Sequence, residues 1–425
     1  MMRSMFAGSS GLRNHQIRMD VVGTNIANVN TIGYKKSRVT FRDALYQSLR
    51  GASAPQGNRG GTNPQQVGLG NAVGSIDVVQ GAGSAQTTGK MTDLSIQGEG
   101  FFILTDGSGR RFYTRAGTFD FDTTGNYVNV TNGFKVMGYM ADPATGAIDN
   151  STLTAIDLSG YKSVPPKATS EMKLSGNLDS GTASNDTIVL NKKIYDSQGG
   201  EHLINITFTK SATTNQWTAS LGASDPAISG ITVANPASWT NLVFDSAGKV
   251  DLTASGLDTT AGKVTVNIAY TGLGVATPQS ITIDMNNLTQ YRAESTAWAE
   301  YQNGYPQGDL RSISIDITGT ILGTYSNGQT QSIAQVALAT FQNPSGLFAL
   351  GDSMFQDSPN SGDADIGTPG SKSRGSILPG TLEMSNVDLS LEFTDMISTQ
   401  RGFQANARII TASDEMLQEL VNLKR

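Results

Sequence analysis

The sequence predicts a mainly β body of two β-rich domains, the outer inserted in the inner. Long N- and C-terminal α-helices are expected to pair beside it in a coiled-coil-like terminal domain. Three observations point there. The 425 residues include 48 glycines and only 16% charged side chains. Such a Gly-rich, charge-poor make-up, below the roughly 25% charge of an average soluble chain, suits β structure with many tight turns. Apolar side chains recur every seven residues at both ends, and alternation takes over between them. Asp-Gly and Asn-Gly pairs, the turn chemistry of two-residue hairpins, punctuate the middle.

At the N-terminal end, Met5, Leu12, Met19 and Ile26 form one heptad series, with Val22 and Val29 three beyond the last two. That is a narrow seam rather than a broad globular face. Gly8, Gly11 and Gly23 interrupt it, each at about 1 kcal/mol relative to Ala, so the helix is weak in isolation. Asn28, Asn30 and Gly33 tolerate left-handed backbone and end it. Residues 35–75, rich in Gly, Ser, Asn, Gln and Pro beyond 51, read as an extended linker.

An inner β domain is expected over 76–143 and 287–384. Its meander has strands at 101–104, 111–114, 127–128 and 136–139 and turns at Asp106-Gly107, Thr124-Gly125 and Asn132-Gly133. The inserted outer domain, 144–286, has strands near 187–194, 203–209, 217–221 and 281–285. Strand patterns resume over 309–350 around Ser326-Asn327-Gly328, and 357–380 leads to the last helix. There Leu389, Met396, Phe403, Ile410 and Leu417 again repeat by seven, with Phe393, Ala407 and Val421 four beyond members of the series. Ser385-Asn386-Val387-Asp388 resembles a capping box, the Ser385 oxygen accepting an orphan N–H. From Leu389 to Leu423 the helix would run about 50 Å. Residues 1–34 and 385–425 thus make up the terminal helical domain.

Composition removes whole classes of chemistry. Without cysteine there are no disulfides, thiolate metal sites, cysteine nucleophiles or iron–sulfur ligands. With only His15 and His202, histidine catalysis and multi-histidine metal sites lack their residues. No run of about 18 apolar residues exists to span a membrane. The first residues lack the roughly 7–15-residue apolar stretch of a secretory signal, so the chain is expected to stay in the cytosol or to leave without a cleaved signal peptide. Residues 1–50 carry eight basic groups against two acidic, and the last 45 carry four against seven. Two oppositely charged ends lying side by side explain this. Nucleic acid is not expected, because the few aromatics form no base-stacking pattern.

Asp120 and Asp122 would share one face of a strand, inviting a two-carboxylate glycosidase reading. They also stand before the Thr124-Gly125 turn, where acidic residues cap routinely. Asp352, Asp357, Asp363 and Asp365 lack the spacing of an EF-hand loop. Gly98-Glu99-Gly100 and Gly107-Ser108-Gly109 precede no helix and read as hairpin turns rather than phosphate loops. His15 and His202 are expected at the surface. No catalytic site, metal or cofactor is expected.

The seams are the stronger signal. Weak, charge-complementary terminal helices would order when copies pack, meeting the entropy cost of ordering at that moment. A head-to-tail contact that does not close generates a filament. The expected assembly interface is Met5, Leu12, Met19, Ile26, Asn28, Leu389, Met396, Phe403, Ile410 and Leu417.

These residues resemble the flagellar hook and rod family. Asn25-Ile26-Ala27-Asn28-Val29-Asn30-Thr31-Ile32-Gly33-Tyr34-Lys35 looks like its N-terminal signature. Arg401-Gly402-Phe403-Gln404-Ala405-Asn406-Ala407-Arg408 looks like its C-terminal one. Gly98–Phe102 and 113–119 resemble its β domain, and Gly304-Tyr305, 325–328 and 337–344 are similar to the hook branch. The inserted domain favours the hook too, since common rod subunits are much shorter. The resemblance implies a structural subunit polymerising into a curved, bendable tube between motor and filament, with the terminal helices lining its channel. Its implied partners are many copies of itself, rod and hook–filament junction proteins, a hook cap and the flagellar type III export apparatus. A distal-rod or other axial subunit is the alternative; a secreted glycan-active enzyme or adhesin is a remote one. Some spirochaete members cross-link subunits through cysteine and lysine, chemistry closed to a cysteine-free chain.

Overall fold

The structure is a computed structural model, and it describes residues 2–57, 59–143, 145–235, 241–257, 262–271, 274–275 and 278–422. It is mainly β, with one long helix at each end, as the sequence predicts: α1 spans Met2–Ala27 and α2 spans Leu389–Asn422. Leu423, the last residue of the expected helix, lies outside the described residues. No described helix is long and apolar enough to cross a membrane.

The start of α2 corrects the capping expectation. Asp388, not Ser385, is the cap: its Oδ1 accepts the Ser390 N–H at 2.8 Å and the Leu391 N–H at 3.3 Å. A carboxylate there also meets the positive end of the helix dipole. Asn386 is drawn aside, accepting from the Lys36 N–H at 2.8 Å and donating to the Val79 carbonyl at 2.8 Å.

Residues 35–75 are extended but paired. Strand Ser37–Asp43 runs antiparallel to Asn71–Val78, with a register shift at Thr40/Phe41. Beyond it, Tyr46–Arg50 pairs with Gln65–Gly68. The outer pair is exposed at every position, so no buried face imposes the alternation by which a strand is recognised in sequence.

The chain divides into two compact units. The first comprises residues 1–159, 313–323 and 331–425. Strands Phe101–Thr105, Arg111–Thr114 and Lys135–Met140 form its meander, and Leu338–Thr340 returns beside Phe101–Thr105. Phe101, Ile103, Tyr113, Ala337, Ala339, Phe341 and Phe355 share one buried cluster. Edge-to-face pairs such as Tyr113–Phe341, with centroids 4.8 Å apart, fix ring orientation within it.

The second unit comprises residues 160–312 and 324–330. One sheet orders Ile228–Asn235, Lys263–Tyr270, Gln279–Thr289, Glu171–Asn177 and Trp298–Gln302. The other orders Thr187–Tyr195, Glu201–Lys210, Gln216–Ala223 and Asn241–Val243. Alternate residues of both sheets enter one core around Trp217, Phe208, Ile206 and Ile283. The buried Trp217 N–H is satisfied by Gln290 Oε1 at 3.0 Å.

Turns recur with one chemistry, Asp-x-x-Gly-x. The first carboxylate oxygen of Asp122, Asp196, Asp245 and Asp316 each accepts the N–H four residues on. Gly125, at φ +105°, takes a conformation that a side chain would strain.

His202 is not at the surface. It shares the inward face of Glu201–Lys210 with Ile204, Ile206 and Phe208, and it is 6% exposed. Its Nδ1 lies 2.6 Å from Asp225 Oδ2 and its Nε2 3.0 Å from Asp196 Oδ2, with the Tyr270 ring 4.8 Å away centroid to centroid. Burial pulls the imidazole down, but hydrogen bonds to Asp196 and Asp225 and their charges outweigh it and hold its pKa above 6.5. Both carboxyls are held below the usual range, Asp225 first by the Ala227 N–H.

The raised imidazole contributes stability that is complete below its unfolded pKa and lost as pH rises through the folded one. The depressed carboxyls contribute stability present above their unfolded pKa and lost on acidification. Unfolding of the second unit, followed by Trp217 fluorescence, is therefore expected to have its highest midpoint between these limits, in weak acid. His202→Asn should flatten the fall on the neutral-to-alkaline side; an unchanged profile would remove His202 as its source.

Candidate assembly interface

The two helices pack antiparallel along a line of small and polar residues. From one end to the other, Ser4 Oγ lies 3.3 Å from Ser413 Oγ, Gly8 faces Ile410 and the Asn406 carbonyl, and Gly11 faces the Asn406 amide. His15 lies over Gly402, and Arg18 pairs with Asp395 at 2.9 Å. Asn25 closes the line, donating to Glu392 Oε2 at 3.0 Å. Positions 4, 8, 11, 15, 18, 22 and 25 step by three and four, one face of α1. A Cβ at Gly402 would stand 2.7 Å from the His15 ring, and one at Gly8 3.2 Å from Ile410. Glycine is what lets the helices approach so closely.

The heptads lie mostly off this line. Ile410 reaches it, against Gly8. Met5, Leu12, Met19 and Ile26 are half-buried, as are Met396 and Leu417. Leu389 remains 40% and Phe403 36% exposed, and Leu391, Phe393, Ile397, Met416 and Leu420 are open as well. Asn28 ends α1, donating to the Thr24 carbonyl at 2.9 Å and accepting from the Thr31 hydroxyl at 3.0 Å. The long helix thus keeps an apolar stripe uncovered, which water disfavours at about 25 cal/mol per Å².

Where the helices meet the β body, two buried polar centres fasten them. Asn25 is 1% exposed. Its Oδ1 accepts from the Ser37 N–H at 3.0 Å and the Tyr34 hydroxyl at 3.2 Å; its Nδ2 donates to the Ser37 carbonyl as well as to Glu392. Burial, with Glu392 next, raises the Tyr34 phenol, so it stays a donor at neutral pH. The second centre is Glu383, 2% exposed. It takes Lys35 Nζ at 2.6 Å and the Gly83 N–H at 2.9 Å on one oxygen, and Arg115 Nη1 at 3.2 Å on the other. Its carbonyl accepts the Gly33 N–H at 2.8 Å. Lys35 also donates to the Gly81 carbonyl and Arg115 to that of Gly98, while the Phe101 ring packs on the guanidinium at 5.3 Å. Burial lowers the Lys35 pKa against the pull of Glu383.

The sequence reading missed Gly8, Gly11 and Gly402 as the contact line and Lys35, Arg115, Glu383 and Glu392 as fasteners. Small and polar residues at three-and-four spacing, opposite the apolar stripe, were the available signal for the first group. The fasteners come from four separate segments and leave no local pattern.

The other carboxylates are engaged elsewhere. Asp120 pairs with Lys90 at 2.8 Å. Asp122 is held well below the usual carboxylate range by Asn126 and Thr124 of its own turn. Asp365 is held by Lys372 and Arg374. His15, half-buried with its ring 5.7 Å from Phe41, has its pKa lowered by burial and then by Arg18.

Family models match along the chain: flagella basal body rod protein over 5–35, and flagellar hook protein FlgE/F/G D1 domain over 95–170. The flagellar basal body protein FlaE D2 domain matches 166–305, and the flagellar basal body rod FlgEFG protein C-terminal model matches 378–423. The chain is 41% identical over 466 residues to the flagellar hook protein FlgE of Treponema pallidum, covering all of both chains. It is 42% identical over 455 residues to that of Borreliella burgdorferi, again over both whole chains. In fold it is similar to the crystal structure of Helicobacter pylori flagellar hook protein FlgE2, at TM-score 0.51 and 14% identity, over 70% of this chain and all of that one.

Glu383→Ala leaves two buried cations without their carboxylate and is expected to cost about 3–5 kcal/mol of stability, read by urea unfolding. Gly402→Leu should separate the helices with little effect on the β units. Protease cleavage within residues 2–27 would then quicken while the body resists; cleavage at the native rate would contradict the contact line.

Proposed function

The chain belongs to the flagellar hook protein family, and on that premise we propose that the apolar stripe left open on α2, together with the half-buried heptad of α1, makes its copy-to-copy contacts. The family is a structural one, not an enzyme, and the chain is a structural subunit of the bacterial flagellar hook, part of the flagellum. The proposed interface comprises Met5, Leu12, Met19, Ile26, Leu389, Met396, Phe403, Ile410 and Leu417, with Asn28 shaping the end of α1. The supporting observation is the separation of contacts: small and polar residues hold the pair together within one chain, while Leu389, Leu391, Phe393, Ile397, Phe403, Met416 and Leu420 of α2 stay exposed.

The finer reading follows. Copies stack into a curved tube that bends while carrying torque, the terminal helices lining its channel. The division into terminal, inner and outer layers expected from the nested chain order belongs to the same reading. Rod and hook–filament junction proteins, the hook cap and the type III export apparatus are its proposed partners, and passage without a cleaved signal peptide is its proposed route. A cysteine-free chain suits travel in the unfolded state.

Deleting the gene in the source organism should leave rods without hooks or filaments by electron microscopy; missing rods would move the protein inward. Leu389→Asp or Phe403→Asp should abolish hook assembly by placing a charge in an apolar contact. Because both side chains stand open in the single chain, its melting temperature should stay within a degree or two. Normal hooks from either variant would refute the interface.

A further inference from the structure

The hairpin of Tyr46–Arg50 and Gln65–Gly68 is an arm without a partner. Two strands alone are marginal in water, and every residue of both is exposed. Alternation puts Leu45 and Gln47 on one face, and Leu49 is the extra residue of a bulge just beyond them. Register puts Val67 opposite Gln47, and Leu69 bonds back to the Leu45 carbonyl. The result is an apolar stripe, with Leu45 72%, Leu49 58%, and Val67 and Leu69 each 38% exposed. Its charges are of one sign: Arg50 and Arg59 are the ionic residues of 44–70, and among the described residues neither forms an ion pair.

The same unit carries a complementary hollow. A cavity of about 520 Å³ is lined by Ile32, Val78, Ala116, Ala349, Met354 and Phe355, among others. That lies within the roughly 300–1,000 Å³ of pockets that seat a ligand. Its rim is the turn Gly351-Asp352-Ser353, where two successive non-glycine residues adopt left-handed backbone, at φ +50° and +56°. Ser353 Oγ donates to the Ile32 carbonyl at 3.1 Å, and Thr114 Oγ1 donates to the Ser353 carbonyl at 2.9 Å, holding the turn in place. Strain kept in this way marks a surface shaped for contact. Residues 351–363 carry Asp352, Asp357 and Asp363 and no basic group. Phe348, beside the rim, is 62% exposed.

We propose that the arm of one copy seats in this cavity of a neighbouring copy, Leu45 and Leu49 entering it while Arg50 and Arg59 face the aspartates of 352–363. The proposal rests on the structural role given above. Apolar stripe meets apolar hollow, two unopposed arginines meet a run of unopposed aspartates, and a polymer supplies a neighbour for every arm. Such a contact joins copies through β structure, apart from the helical stripes, and its ionic part steers docking more than it holds it.

The chain has no cysteine, so an introduced pair reports without background. With Leu49→Cys and Ala349→Cys together, mild oxidation of assembled hooks should give a ladder of linked multimers on a non-reducing gel, which either single variant should not. Assembled hooks without linkage, or a disulfide confined within one chain, would overturn the proposal while leaving the structural role intact. Absence of any effect of gene deletion on hooks would instead sink that role. As a second measurement, Arg50→Glu with Arg59→Glu should cut hook assembly at least tenfold, and adding Asp352→Lys with Asp357→Lys should restore it. Failure to restore assembly counts against the contact.

Discussion

Both ends of the chain must leave the β body together, and the buried carboxylate of Glu383 makes that possible. It binds Lys35, just after α1, and Arg115 of the meander, and it sits six residues before α2 begins. With the Gly83 N–H on the same carboxylate, four chain segments meet at one residue. A buried ionic cluster of this kind adds little or no net stability over an apolar substitute but is costly to break, because a lone charge would remain in a dry site. The cluster therefore specifies position more than it adds strength. Asn25 extends the same logic one step outward, spending its side-chain hydrogen bonds on Tyr34, Ser37 and Glu392.

Once the ends are fastened, the helices need little apolar contact with each other. Glycine against Asn406 and Ile410, and Gly402 against His15, give close approach without large side chains. That frees the heptad residues. A single chain with its heptads buried inside would have nothing to offer a neighbour; on the proposed interface, the apolar side chains that α2 leaves exposed are covered when copies pack. The same division recurs in the arm, whose two strands pair with each other and, among the described residues, with no other strand.

Much of this was legible in sequence, and the failures are physical. The meander strands and the insert strands stood out because one face of each is buried, so alternation is visible in the residues. The arm was read as linker because neither of its faces is buried within the chain. Glycines 8 and 11 were read as weakness, since propensity describes an isolated helix and not one that touches a partner. His202 was assigned to the surface because its two aspartate partners lie 6 positions before and 23 after it, too scattered to form a motif. Ser385 was chosen as cap from its spacing, where Asp388 stood closer to the first turn. The hook resemblance rested on the terminal signatures and on segments of the β body, and Asn25, Gly402 and Asn406 of those signatures lie at the contacts between the helices.

On the proposed interface, the apolar stripe of α2 is open in the single chain and closed in the assembled hook. Hydroxyl-radical footprinting read by mass spectrometry tests this on unaltered protein, since the exposed Phe393, Phe403 and Met416 are themselves reactive reporters. They should oxidise readily in the monomer and be strongly protected in the hook, while Met172, buried in the second unit, stays protected in both. Equal oxidation of the helix residues in monomer and hook would contradict the claim.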